Sequence, residues 1–160
     1  MDPVADRPYI GHPEYGVPSH RKGLVPWSWV RDRFTTEQNY WVSTAGDDGR
    51  PHVRPVWGVL VDDVIHFGGG PNTRWSRNLA ARPWAVVHLE SGSEVVIAEG
   101  PVGRLEDATD PLLAAIDDAY EAKYRMRHGP PLWILRPEVV FAWRDFPKDA
   151  TRFRFDSSVS

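Results

Sequence analysis

The chain has 160 residues, 41% of them hydrophobic, which is enough for one domain with a real core and too little for two ordinary ones. A formal net charge of -3 argues against a broad nucleic-acid surface, which needs clustered base to neutralise phosphates, so any anion site must be local. The absence of cysteine excludes disulfides, thiolate catalysis and Cys-containing zinc or iron–sulfur sites, and no run approaches the roughly eighteen apolar residues of a membrane helix.

Residues 1–23 carry Pro3, Pro8, Pro13 and Pro18 with little apolar periodicity and read as an extended N-terminal arm, followed by a single domain over 24–156. The arm is acidic and lacks a charged n-region before an apolar run, so no signal peptide is expected and the chain is expected to be cytoplasmic. Trp27, Val30, Arg31 and Phe34 fall at helical offsets and predict a short amphipathic helix that ends before Asn39. The stretch "NYWVSTAGDDGRPHVRPVWGVLVDDVIHFGGG" alternates apolar runs with turn clusters and predicts three antiparallel strands, with Asp48-Gly49 as a hairpin dipeptide. After the glycines, Asn72 or Thr73 can cap a helix that runs to about Ala81 and is stopped by Pro83.

"PWAVVHLES" and "SEVVIAEGPVGRLED" supply two more strands. Thr109 or Asp110 then caps a helix with Pro111 in its first position and Leu112, Ile116, Tyr120 and Tyr124 recurring every fourth residue. "LWILRPEVVFAWRDF" and "TRFRF" give the last strands. The pattern is mainly β with inserted helices and no regular βαβ alternation, which predicts a small barrel of six to seven antiparallel strands.

No G-x-S-x-G elbow, H-E-x-x-H pair, Walker loop or EF-hand loop is present. His52, His66 and His88 fall on three predicted strands, where they serve as surface or barrel-lining groups or converge on a metal; no spacing links them to a carboxylate pair. The segment "FGGGPNTRWSRNLAARP" at 67–83 is more informative. On a helix starting near Asn72, Arg74, Arg77 and Asn78 share one face, while Trp75 and Leu79 point to an adjacent apolar face. The helix N-terminus adds free N–H groups, and Gly68 to Gly70 allow close approach to the backbone, so the segment suits a phosphate. The alternative is a solvated helix whose arginines pair with nearby acids. In the preceding hairpin, Pro55 withholds one ladder donor, which suits an edge, a bulge or a place where a flat ligand docks beside Arg54 and Trp57. Trp57 could equally be core.

This succession, with "VVIAEGPVGRLED" and the closing "ATRFRF", resembles the pyridoxamine 5'-phosphate oxidase-like split-barrel superfamily over about residues 27–155, and more narrowly its flavin/deazaflavin oxidoreductases of the B type. The resemblance implies an FMN-binding type of split barrel, a homodimer, and a flavin-type cofactor in a groove between subunits. It implies a cofactor site made of Arg54, Pro55, Val56, Trp57, Gly68, Gly69, Thr73, Arg74, Trp75, Arg77 and Asn78. The element T-R-x-x-R-N-L, from Thr73 to Leu79, is its most specific mark; where many relatives carry a lysine after "TR", this chain has Trp75. Coenzyme F420, FMN and haem are all used within such barrels. F420 is favoured over FMN because Arg21, Lys22, Arg31 and Arg33 could give its anionic tail a basic path, unless they are ordinary solvated charges. The implied activity is hydride transfer between the cofactor and a small unsaturated or electron-poor organic substrate. Tyr120, Tyr124 and His66 are possible proton donors, and no catalytic residue is assigned. A non-catalytic carrier of flavin, F420 or haem is the reading from another class, and a degenerate barrel with an empty groove is a third.

Overall fold

The computed structural model describes residues 1–156. Its elements in chain order are β1 (Val4–Asp6), α1 (Trp27–Thr36), β2 (Tyr40–Ala45), β3 (Pro51–Val56), β4 (Gly58–Val61), β5 (Val64–Gly68), α2 (Arg74–Ala81), β6 (Trp84–His88), β7 (Val95–Leu105), α3 (Leu112–Tyr124), β8 (Leu132–Leu135), β9 (Val139–Trp143) and β10 (Thr151–Arg154). All strand pairs are antiparallel. One sheet runs β1-β10-β9-β7-β6-β2-β3, and the other joins β4, β5, β8 and the second half of β7. The long β7 therefore serves both sheets: Val95–Glu99 pairs with β9, and Val102–Leu105 pairs with β8.

The second of the three strands expected over 40–70 is bent. It breaks at Trp57, so β3 pairs with β2 while β4 pairs with β5. This bend closes the circuit β2-β6-β7-β8-β5-β4 through the chain itself and makes the split barrel. Gly58 sits at the bend because a Cβ there would fall on the Tyr40 ring. The hairpin dipeptide behaves as its chemistry requires: Gly49 has φ 76°, and Gly46 N–H bonds the Arg50 carbonyl at 3.1 Å. Asp62 and Asp63, at φ 52° and 62°, turn β4 into β5.

The N-terminal arm is anchored at its start, since Val4–Asp6 pairs with β10 and Asp6 holds Arg152 at 2.8 Å. Three residues carry no readable period, so the strand was not expected from the sequence. Trp27, Val30 and Phe34 bury one stripe of α1 in the barrel core beside Tyr40, Val42, Phe67, Leu79 and Val87. α3 buries Leu113, Ile116, Tyr120 and Tyr124 on the second sheet. Leu112, expected in that stripe, is 43% exposed, and Leu113 takes its place, because a strict fourfold spacing drifts off one face of a helix with about 3.6 residues per turn. Among the described residues, no helix is long and apolar enough to cross a membrane.

Candidate functional site

Residues 67–83 fold as strand exit, glycine turn and helix. Thr73 is the N-cap: its hydroxyl accepts from Ser76 N–H at 3.3 Å and donates to the Gly70 carbonyl at 3.0 Å. The buried face of α2 is Trp75, Ser76 and Leu79, with Ser76 Oγ accepting from the Trp133 indole at 3.1 Å. Asn78 ties the helix to β2 by donating to Thr44 Oγ1 at 3.0 Å. Anchored on that side, α2 leaves Arg74 and Arg77 exposed on the other.

β3 is the outer edge of its sheet, and Val53, Arg54 and Pro55 are exposed along it, so Pro55 costs no ladder bond. The edge lies beside α2. His52 is pushed down from its ordinary range by burial and by the neighbouring guanidinium groups of Arg54 and Arg74. The structure thus brings together Arg54 of β3 and Arg74 of α2, with His52 between strand edge and helix and Arg77 one turn along. Among the described residues, none of Arg54, Arg74 and Arg77 has a carboxylate partner; Arg77 donates to the Asn72 carbonyl at 2.7 Å and Arg54 to Val53 at 2.8 Å. Three guanidinium groups without carboxylate partners beside a helix N-terminus concentrate positive charge locally in a chain of net charge -3, an arrangement suited to an anion.

Other residues of the sequence-predicted site lie differently. Trp75 is 6% exposed and belongs to the core, packed beneath Gly69, where a Cβ would strike its indole. Gly68 is covered in the same way by the His128 imidazole. These two glycines leave room for the chain's own aromatic rings, which stiffen the turn before Thr73. Val56 is half-buried at the strand edge, and Trp57, 45% exposed, is stacked on Tyr124 with ring centroids 4.6 Å apart and an interplanar angle of 9°.

Arg31 and Arg33 do not form a free basic path. Arg31 bonds both oxygens of Asp63 at 2.7 and 2.8 Å and meets Asp2 at 2.9 Å, while Arg33 pairs with Glu37 at 2.5 Å and Glu94 at 3.5 Å. Arg21 donates to the Ala5 carbonyl. Nor do the three expected proton donors face this site as free groups. Burial holds the His66 imidazole neutral, pushed down to about 4, and among the described residues its Nδ1 has no hydrogen-bond partner. The Tyr120 hydroxyl is bonded to the Trp57 and His66 carbonyls at 3.2 and 3.4 Å, and burial raises its pKa. The Tyr124 hydroxyl lies 2.8 Å from the Gln38 carbonyl and 2.9 Å from both Gly58 N and Gly58 O, and burial raises its pKa too. His88 lies flat against Trp41 on the outer sheet face, and among the described residues no three His, Asp or Glu side chains gather as metal ligands. A cavity of about 450 Å³ between Arg31, Leu60 and Asp63 is lined by none of the cationic site's residues.

A family model described as pyridoxamine 5'-phosphate oxidase matches residues 29–144, most of the chain and all of the barrel circuit. The chain belongs to the pyridoxamine 5'-phosphate oxidase family. No curated protein matches the sequence. Among solved structures, the fold is similar to a conserved hypothetical protein, Rv2991, of Mycobacterium tuberculosis, with 18% identity, 79% of this chain and 89% of that one covered, and a TM-score of 0.64. It is also similar to an F420 reductase, with 18% identity, 69% and 94% covered, and a TM-score of 0.53. HutZ, a haem storage protein of Vibrio cholerae, has 14% identity, 72% and 92% covered, and a TM-score of 0.59. At these identities the likeness is one of fold. Within the family's barrel, the cationic site occupies one sheet edge and the start of α2.

Proposed function

We propose that this member of the pyridoxamine 5'-phosphate oxidase family is an oxidoreductase that binds a flavin-type cofactor, with F420 favoured over FMN, and reduces a small unsaturated or electron-poor organic substrate. The observation that carries the reading is the set Arg54, Arg74 and Arg77, without carboxylate partners among the described residues, beside the N-terminus of α2, with the exposed Pro55 and Trp57 following Arg54 along the same edge strand and its bend. Such a set fits an anionic, ring-bearing ligand. Arg74, Arg77 and the α2 N–H groups would hold a phosphate, and Pro55, Val56 and Trp57 would border the ring. Three guanidinium groups also suit a ligand with more anionic groups than the single phosphate of FMN, and the fold similarity to an F420 reductase agrees with this. When bound, the cofactor supplies the hydride; the residues of this chain bind it, orient it and exclude water.

The site is an open edge, which supports a second copy as its other wall. The outward face of the larger sheet carries Trp41, Val53, Pro55, Trp84, Val86, Ile97, Phe141 and Trp143, with Val53 40% and Trp84 47% exposed. Ser43, His88, Glu99 and Arg152 share that face, so it is a mixed surface with exposed aromatic and aliphatic groups, of the kind a homodimer would cover with an isologous contact. The test is titration of the protein with F420 and with FMN, followed by fluorescence, alongside sedimentation. Binding of either cofactor by a dimer is the expected result. A monomer that binds neither would sink the proposal.

A further inference from the structure

The last turns of α3 carry polar groups that the ligand site does not use, all directed at one point of the barrel. Lys123 Nζ donates to the Gly58 carbonyl at 2.8 Å, to the Phe34 carbonyl at 3.0 Å and to the Tyr40 hydroxyl at 3.2 Å, and sits 4.2 Å from the Tyr40 ring centroid. Tyr40 in turn donates to the Phe34 carbonyl. The Tyr124 hydroxyl accepts from Gly58 N–H at 2.9 Å. Both backbone polar groups of Gly58 are thus met by α3 at the one place where the strand breaks between β3 and β4. The Tyr120 hydroxyl holds the adjoining Trp57 carbonyl. The residue so fixed is Trp57, whose ring then lies flat on Tyr124.

We propose that Lys123 and Tyr124 are positioning residues of the ligand groove, pinning the β3–β4 corner at Gly58 so that the Trp57 indole is held in the one orientation that meets the ligand. The ligand half of this statement rests on the function proposed above; the pinning of Trp57 does not. An exposed tryptophan at a strand end has several rotamers, and fixing one in advance lowers the ordering cost of binding. The clamp ties together the end of α1, the bend and α3, so it also couples the groove to protonation. Burial pushes Lys123 down to about 7, opposed by the Glu37 carboxylate. The titratable groups around it are Glu37, itself paired with Arg33, and the hydroxyls of Tyr40, Tyr120 and Tyr124. The ammonium has three protons for three oxygen acceptors; the neutral amine has two, so one contact loosens as pH rises through neutrality.

The experiment follows the Trp57 indole N–H resonance by NMR in protein labelled on its tryptophans, assigned with Trp57→Phe, together with FMN and F420 titrations. In the wild type the resonance is expected to shift with a midpoint near pH 7. In Lys123→Met it should move from its wild-type position, lose that step, and accompany an affinity for the bound cofactor weaker by about tenfold. Tyr124→Phe keeps the stacked ring, loses the Gly58 bond and should give a smaller displacement; it decides the matter if Lys123→Met does not fold. A Trp57 resonance unchanged in the variants overturns the proposal, whatever their thermal stability. If the wild type binds neither cofactor, the functional reading fails, while the resonance still decides for or against the clamp.

Discussion

α1 and α2 are both short helices packed on the barrel, and each carries two arginines, yet their electrostatics are opposite. Arg31 and Arg33 of α1 reach carboxylates at Asp63, Asp2, Glu37 and Glu94. Arg74 and Arg77 of α2 reach none among the described residues. The count of basic residues is the same, so charge content does not identify an anion site. What differs is where the partners lie. The first turns of α1 lie against the β4–β5 turn, which offers Asp63, whereas α2 begins against a glycine turn and a strand edge that brings Arg54 and His52. A guanidinium neutralised by carboxylates on two sides has little left for a ligand; one that reaches no carboxylate beside a helix N-terminus keeps its charge for one.

The sharpest way to break this comparison is to remove the unpaired pair. Arg74→Ala and Arg77→Ala should each weaken binding of a phosphate-bearing cofactor by about 1.5–3 kcal/mol, roughly ten- to a hundredfold, and the double variant by more. Neither side chain supports the fold, so thermal unfolding should hardly move. Undiminished affinity in the double variant would make α2 a solvated helix and nothing more.

A buried group between the second sheet and α3 has a different consequence. His66 is 3% exposed, and burial lowers its pKa to about 4 from an ordinary 6.5. Between those values the unfolded chain binds a proton that the folded chain refuses. Stability is therefore fully present above about pH 6.5 and lost as pH falls towards about 4, by about 3 kcal/mol over the window. Denaturant unfolding at several pH values measures it. His66→Gln should flatten the dependence; an equal slope in that variant would assign the loss to other groups.

Much of the candidate site was legible because its signals are local. A cap at Asn72 or Thr73, the neighbouring Arg74 and Arg77, and the edge character announced by Pro55 each need only a few neighbouring residues to be read, whereas Asn78, expected on the arginines' face, turns to Thr44 of β2 instead. The bend at Trp57 was not legible, because "HVRPVWGVLV" alternates like one continuous strand and the reason for Gly58 is the ring of Tyr40, eighteen positions earlier. Trp75 could be placed on the apolar side of its helix but not beneath Gly69, a fit that depends on how the turn folds back. The partners of Arg31 and Arg33 escaped for the same reason: Asp63 and Glu94 come from other elements, and no spacing brings them to α1. The strand at Val4–Asp6 is defined by pairing with β10 alone.

The smallest effect tests the paired side of the comparison. In Arg31→Gln the bidentate bond to Asp63 is lost, and the carboxylate, which also accepts from the Trp27 indole at 3.1 Å, keeps only that donor. The pair is partly open to solvent, so the cost should be modest, about 1 kcal/mol of folding stability. Asp63 is held below the usual carboxylate range by bonds from Arg31 and Trp27, against the opposing effect of its burial. The stability it contributes is present above its ordinary pKa of 3.8 and lost as pH falls below that value. The variant should therefore differ from wild type at neutral pH and converge with it in acid. Cofactor affinity and its salt dependence should be unchanged, since this arginine is already neutralised by its own carboxylates. Should Arg31→Gln instead weaken F420 binding while leaving stability intact, the anionic tail would run along α1 after all, and pairing in the free protein would not be what separates the two helices.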